Sequence, residues 1–208
     1  MKYDHIKRIG DLFIASLAIV FLLPLFVVTA IIIRLESPGA ALFHQKRYGK
    51  DKQPFTVYKF RTMSAQAPNN MPTNDFHDAH TYITQFGRII RKLSIDELPQ
   101  LINVLQGHMS LVGPRPVVLS ETSLINERDK YGANAVKPGI TGWAQVNGLR
   151  GDTSINERTK FDLWYIEHWN LLLDIKILVR TLWQIFNGRG NRRDELAEEN
   201  TAEPAIGD

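Results

Sequence analysis

The sequence predicts a mostly helical α+β fold with an N-terminal re-entrant membrane helical hairpin, a small β-hairpin and amphipathic interface helices. Three observations carry that expectation. Leu12–Ile33 is a 22-residue run without a charge, with a proline near its middle. Two strand-like runs flank the turn Gly49-Lys-Asp-Lys-Gln-Pro54. Finally, Phe161–Asn187 repeats apolar residues at helical spacing and carries Trp164, Tyr165, Trp169 and Trp183. The expected organisation is a membrane segment over 1–36, a folded domain over 37–188 and a disordered acidic tail over 189–208.

At 208 residues and 44% apolar content, the chain suits one domain with an appendage. It has no cysteine, which excludes disulfides, thiolate zinc sites and cysteine nucleophiles. Its chemistry must use oxygen and nitrogen groups. The net charge of +3 understates the basic character, because residues 194–208 hold six acids and no Lys or Arg, so the rest sums to +9. Such an excess suits nucleic acid, an acidic membrane or a phosphorylated substrate, or else a solvated surface.

Leu12–Ile33 would reach about 33 Å as a straight helix, enough to span a bilayer. Only Ser16, Pro24 and Thr29 interrupt it. It is too long for a cleaved signal peptide, and no clean A-x-A site follows it. Cations lie on both sides, with Lys2, Lys7 and Arg8 before it and Arg34, Lys46, Arg47, Lys50 and Lys52 after it. The positive-inside rule then places both ends in the cytoplasm. Pro24 cannot donate to the Val20 carbonyl and clashes with the preceding turn, which predicts a bend. Two arms of roughly 16 Å would dip half-way into the hydrocarbon and return. A single span and a buried core helix are the competing readings, since true spans tolerate proline.

Glu36-Ser-Pro-Gly39 reads as a turn, and Ala41–Tyr48 with Phe55–Met63 as the arms of a β-hairpin. The two-residue period puts Lys59 and Arg61 on one face, where two cations suit a phosphate or a solvated sheet. Residues 65–80 are rich in turn formers and read as a mobile loop. Asp75, His77, Asp78 and His80 within it match no established metal spacing.

Helical periodicity returns at Tyr82–Arg91 and again at Leu98, Leu101, Ile102 and Leu105, ending before Gly107. Between them, Arg91-Lys-Leu-Ser-Ile-Asp-Glu97 sets two adjacent carboxylates at an expected helix start, just after two cations. Ser94 with Glu97 fits a capping box, and acids in a first turn complement the helix dipole. The same pair can hold a metal or attack phosphorus. A helix start would keep Asp96 ionised and offer N–H groups to phosphate oxygens, so capping and chemistry need not exclude each other. Two Pro/Gly loops follow, 111–116 and 137–148, and such rigid loops can hold Arg115 facing a phosphate. The C-terminal aromatics suit either a membrane interface or a core. Beyond Gly188 the sequence is acidic and lacks apolar periodicity, so it is expected to be disordered.

In order, the apolar N-terminal segment, Tyr58-Lys-Phe-Arg-Thr-Met63, Leu93-Ser-Ile-Asp-Glu-Leu-Pro-Gln-Leu101, Ser110-Leu-Val-Gly-Pro-Arg-Pro116 and Pro138-Gly-Ile-Thr-Gly-Trp-Ala-Gln-Val-Asn-Gly148 closely resemble the bacterial sugar transferases. The chain looks like the short form of their monotopic phosphoglycosyl transferases, over about residues 5–187. The resemblance implies a membrane enzyme that moves a sugar 1-phosphate from a UDP-sugar to polyprenyl (undecaprenyl) phosphate and releases UMP. That step would initiate a glycoconjugate such as an exopolysaccharide, an O-antigen or a glycoprotein glycan, with Mg²⁺ as cofactor. Residues 37–188 would then be the catalytic domain, on the cytoplasmic face of the bacterial inner membrane.

By the same resemblance, Asp96 is the nucleophile of a covalent aspartyl-phosphosugar intermediate. Glu97 assists it through metal or proton handling, so both are expected at the metal. Lys59, Arg61, Arg91, Arg115 and Gln145 are the expected substrate-binding residues. UDP-sugar, polyprenyl phosphate and membrane lipids are the implied partners; nucleic acid is not, as no base-reading motif occurs. A carboxylate approaching a diphosphate is repelled, so Mg²⁺ and fixed arginines are needed to neutralise it. Many members have Ser-Pro at the membrane break where this chain has Leu23-Pro24, so that serine's local hydrogen bond is absent. Contacts to the sugar ring are expected in 65–80 and around Leu149–Asn156. A nonenzymatic membrane-tethered scaffold of a polysaccharide assembly complex is the alternative, and for it Asp96→Asn would leave function intact.

Overall fold

The computed structural model describes residues 2–67, 79–149 and 154–187. Asp75, His77 and Asp78, the side chain of His80, residues 150–153 of the expected sugar-contact stretch and the acidic tail lie outside the described residues.

The first element, α1 (Lys2–Glu36), is one 35-residue helix that runs unbroken through Pro24, where two separate arms were expected. The reason is packing. Asp11, Ala15, Ala18, Leu22, Phe26, Thr29 and Ile33 recur every three or four residues on both sides of the proline and form one buried or half-buried stripe. Pro24 itself lies on the exposed side, away from that stripe. Phe13, Leu17, Val20, Phe21, Val27, Val28 and Ile31 are exposed. Only 11% of the most apolar 18-residue stretch is buried, so α1 is not a core helix, and by length and composition it can cross a membrane.

The β-hairpin forms as expected. Strands β1 (Leu42–Tyr48) and β2 (Pro54–Phe60) pair antiparallel, with Leu42 opposite Phe60 and Tyr48 opposite Pro54. The short helices α2 (Ala79–Tyr82) and α3 (Gln85–Lys92) precede a 3-10 turn at Ile95–Glu97, and α4 (Gln100–Gln106) follows.

The two loops expected to be merely rigid contain short strands. Strand β3 (Ser110–Val112) lies in one, and β4 (Val117–Val118) follows it to extend the hairpin in the order β2-β1-β4. Helix α5 (Thr122–Lys130) leads to β5 (Gly139–Thr141), which pairs parallel with β3. Glycine is required where the loops cross: a Cβ on Gly139 would meet Gly113 N at 2.1 Å. Helices α6 (Trp143–Val146), α7 (Ile155–Glu167) and α8 (Leu171–Phe186) complete the fold.

Ala15, Val57, Leu101, Val104, Met109, Val112, Tyr165 and Ile177 meet in one core that joins α1 to β2, α4, β3, α7 and α8. The C-terminal aromatics divide between the two readings. Tyr165 is buried and donates to Asp174 Oδ1 at 2.7 Å, whereas Trp183 is exposed beside Leu172, Ile175, Val179 and Phe186 on the outer face of α8.

Candidate functional site

Asp96 and Glu97 do not begin a helix. Pro99, with φ −60°, is the residue from which α4 starts, since its fixed φ suits a helix entry. The carboxylates therefore sit on the 3-10 turn one step earlier. Ser94 has a left-handed backbone (φ 55°) and its side chain caps nothing, which corrects the capping-box expectation.

This turn presents Glu97 to two elements that are distant in sequence. From β2, Lys59 Nζ donates to Glu97 Oε1 at 2.7 Å. From the segment between β3 and β4, Arg115 forks onto the same carboxylate, with Nη2 to Oε1 at 2.7 Å and Nη1 to Oε2 at 3.3 Å. Charge-assisted, two-pronged bonds of this kind fix position as well as energy. Burial alone would raise the Glu97 pKa, but Arg115 and Lys59 outweigh it and hold the group well below its ordinary value.

Asp96 has the opposite environment. Among the described residues its carboxylate makes no side-chain hydrogen bond or ion pair. Burial, followed by the neighbouring Glu97 charge, pushes its pKa up to about 6, against the pull of Lys59, Arg91 and Arg115. The helix start expected to keep it ionised is absent, and Asp96 is ionised only above about pH 6. Arg91 is steadied by a bond from Nε to Thr62 Oγ1 at 2.8 Å.

Lys59, Arg91 and Arg115 thus gather around the dyad, while Arg61 and Gln145 are placed elsewhere. Strand β2 ends at Phe60, and Arg61 turns to the end of α1, donating to the carbonyls of Pro38 at 2.5 Å, Ser37 at 2.6 Å and Ile33 at 3.4 Å. It caps the end of α1 by clamping the first two carbonyls beyond the helix and by sharing the Ile33 carbonyl, which also accepts from Ser37 N. Gln145 is buried on α6, and its Nε2 donates to Ile140 O at 3.0 Å, closing the turn after β5.

Three arginines behind Arg115 escape a reading of the sequence. Arg47 donates to Pro116 O at 2.6 Å and to Gln45 Oε1 at 2.9 Å, bracing the loop that carries Arg115. Burial, with Arg115 adding, lowers its pKa to about 10. Arg128 on α5 donates from Nη1 to Arg115 O at 3.1 Å and pairs through Nη2 with Asp162 on α7. Arg158, one turn before Asp162 on α7, is also buried. In the sequence these are ordinary charges on helices or strands, and no spacing signals that they converge.

The bacterial sugar transferase family model matches residues 2–188. The chain is 39% identical over 187 residues to the UDP-glucose:undecaprenyl-phosphate glucose-1-phosphate transferase of Escherichia coli (strain K12), covering 87% of this chain and 40% of that protein. It is 40% identical over 185 residues to an uncharacterized sugar transferase, EpsL, of Bacillus subtilis (strain 168), covering 89% of each. It is also 40% identical over 197 residues to the UDP-N-acetylgalactosamine-undecaprenyl-phosphate N-acetylgalactosaminephosphotransferase of Aeromonas hydrophila, covering 91% of this chain and 46% of that protein. The chain spans less than half the length of the Escherichia coli and Aeromonas relatives and nearly nine-tenths of EpsL. A family model that runs through α1, the hairpin, the dyad turn and both crossing loops, together with relatives that match over the same span, establishes that the chain belongs to the bacterial sugar transferase family.

Proposed function

We propose that this protein transfers a sugar 1-phosphate from a UDP-sugar to polyprenyl phosphate, releasing UMP, through a phosphosugar carried on Asp96. The observation behind this reading is the division between two adjacent carboxylates: Glu97 accepts three bonds from Arg115 and Lys59, while Asp96 has no partner among the described residues and lies among the same cations. In the first half-reaction an Asp96 oxygen attacks the sugar-bearing phosphorus. The bond from that phosphorus to the bridging oxygen breaks, and UMP leaves with the electron pair. In the second, a phosphate oxygen of the lipid attacks the same phosphorus, the acyl-phosphate bond breaks and the Asp96 carboxylate is restored. Lys59, Arg91 and Arg115 neutralise the approaching diphosphate, and Glu97 holds two of them in place.

The unpartnered, partly buried carboxylate of Asp96 suits Mg²⁺, which favours one or two carboxylates completed by substrate phosphate oxygens. Bound there, the ion would supply charge neutralisation. Glu97 already accepts three bonds from Arg115 and Lys59, so Asp96 would be the stronger ligand of the expected pair.

The exposed apolar faces of α1 and α8 support seating on a membrane, with the domain on the cytoplasmic face of the bacterial inner membrane. A path on which α1, bent at Pro24 without losing its helix, enters and returns on one side is supported by its ends. Near the start, Lys7 Nζ donates to Asp174 Oδ2 at 2.5 Å and Arg8 to Val104 O at 2.6 Å; at the other end, Glu36 accepts from Phe86 N at 2.9 Å. Arg8 to Glu36 would measure about 42 Å as a straight helix, more than the roughly 30 Å of hydrocarbon. A straight span could not keep both ends on a domain confined to one side.

The purified chain, incubated with Mg²⁺ and a panel of UDP-sugars, should gain the mass of a phosphosugar that Asp96→Asn cannot carry. No UMP from any UDP-sugar in the presence of polyprenyl phosphate would end the transferase reading. For topology, Tyr3→Cys and Lys50→Cys should label from the same side of sealed vesicles; labelling from opposite sides rules out the re-entrant path.

A further inference from the structure

The charges behind Arg115 do not balance locally. Arg115 and Lys59 share Glu97, Arg128 takes Asp162, and, among the described residues, Glu121 acts on Arg47, Arg115 and Arg158 through space without an ion pair to any of them. That leaves Arg47, whose hydrogen bonds go to neutral oxygens, and Arg158, which makes no hydrogen bond or ion pair among the described residues. Arg158 is only 7% exposed. A buried, unpaired guanidinium is costly unless an anion meets it, and few folds keep one without a use.

Its position is defined by the α5–α7 contact. Arg158 stands one helical turn before Asp162, on the face of α7 that receives Arg128 from α5. Arg128 in turn holds the main-chain carbonyl of Arg115, and its own Nε is buried without a partner. Arg47 holds the next carbonyl, that of Pro116. Arg128 and Arg47 meet at the adjoining carbonyls of Arg115 and Pro116, and Arg158 lies one turn from Asp162, the partner of Arg128, so these guanidinium groups form one cluster. Glu121 and Asp162 are the acids that act on Arg158.

We propose that Arg158 and Arg47 form a second anion pocket behind Arg115 that takes the nucleotide-side phosphate of the diphosphate substrate and then the phosphate of the departing nucleotide. The pocket rests on the transferase reading for its natural ligand, though not for its anion chemistry. It separates two tasks: Asp96 and its cations handle the phosphorus that is transferred, and Arg158 holds the phosphate that leaves.

The test uses the purified full chain in detergent, with UMP and inorganic pyrophosphate as probes, and reads thermal unfolding and titration calorimetry. Arg158→Gln should weaken UMP and pyrophosphate binding at least 30-fold, and Arg158→Lys, which keeps the charge but loses the fork, by about 5- to 10-fold. Arg158→Gln should also raise the ligand-free melting temperature, because it removes an unpaired buried charge; a purely structural arginine would lower it. If Arg158→Gln does not fold, the proposal is overturned, and Arg158→Lys binding both probes like the wild type overturns it as well. An Arg158→Gln enzyme that releases UMP with an unchanged KM for UDP-sugar sinks the pocket and leaves the transferase reading standing. Arg158-dependent pyrophosphate binding in a protein that never releases UMP does the reverse.

Discussion

Asp96 and Glu97 share a peptide bond yet are driven in opposite directions: the first is pushed up to about 6, and the second is held well below its ordinary range. The difference is contact. Glu97 touches Arg115 and Lys59, whereas Asp96 feels the same cations only through space and carries the repulsion of Glu97 besides. Neighbouring groups pushed apart in this way divide into different roles.

The first consequence concerns pH. Adduct formation needs the ionised Asp96, whose pKa is about 6 in the metal-free protein and lower with Mg²⁺ bound, so its rate should fall about tenfold for each pH unit below that pKa. A rate flat from pH 7 down to pH 4.5 would contradict the assignment of Asp96 as nucleophile.

Asp96→Asn should stabilise the ligand-free protein near neutral pH. Because the folded-state pKa lies above the ordinary 3.8, the fold binds an extra proton between pH 3.8 and about 6. Stability is therefore fully present below that window and is lost as pH rises through it, by about 3 kcal/mol at most. Asparagine removes the loss. Denaturant melts at pH 4 and pH 7 should show the variant gaining on the wild type at the higher pH alone.

Glu97→Gln removes the charge that repels the Asp96 carboxylate and frees Lys59 and Arg115 to stabilise it. The acid limb of adduct formation should move to lower pH, although the maximal rate drops on the order of 100-fold because the two cations lose their anchor. A limb that stays in place would show that Glu97 does not set the Asp96 environment.

Gly139→Ala tests the crossing of the two loops. Its Cβ would lie 2.1 Å from Gly113 N and 2.4 Å from Thr141 O, both backbone atoms that cannot move aside cheaply. A loss of about 2–4 kcal/mol is expected in chemical melts, together with activity, since Arg115 hangs from the same loop.

Arg61→Gln separates the two readings of that residue. As a cap on the end of α1 it should cost about 1–3 kcal/mol of stability with the UDP-sugar KM unchanged. A raised KM at wild-type stability would return Arg61 to the substrate.

Much of this was legible from local pattern. Strand alternation around the 49–54 turn encodes the hairpin, although its second arm ends at Phe60 rather than Met63 and its register comes from the structure. The apolar run encodes helix because hydrophobic composition needs no partner to be read, but the expected division into two arms at Pro24 gives way to one helix. Lys59, Arg91, Arg115 and the dyad were named from motif blocks, and the structure brings all five together.

What one-dimensional pattern leaves open is anything decided by who packs against whom. Lys59 and Arg61 share a strand period, yet β2 ends between them, so one reaches Glu97 and the other caps α1. Ser94 fits a capping box by spacing, but Pro99 moves the helix start past it. The α1 stripe continues through Pro24 because the domain offers it a surface along its whole length, a fact that the helix sequence alone does not contain. Arg47, Arg128 and Arg158 come from three elements, and no short-range rule joins them. By itself the sequence determined the β-hairpin, the helical character of the apolar segment and the adjacency of the two carboxylates, since these depend on neighbours within a turn or a strand; the strands β3, β4 and β5 and the start of α4 it did not. Only the tertiary structure decided which charges face one another, because electrostatic partners are set by distance in space.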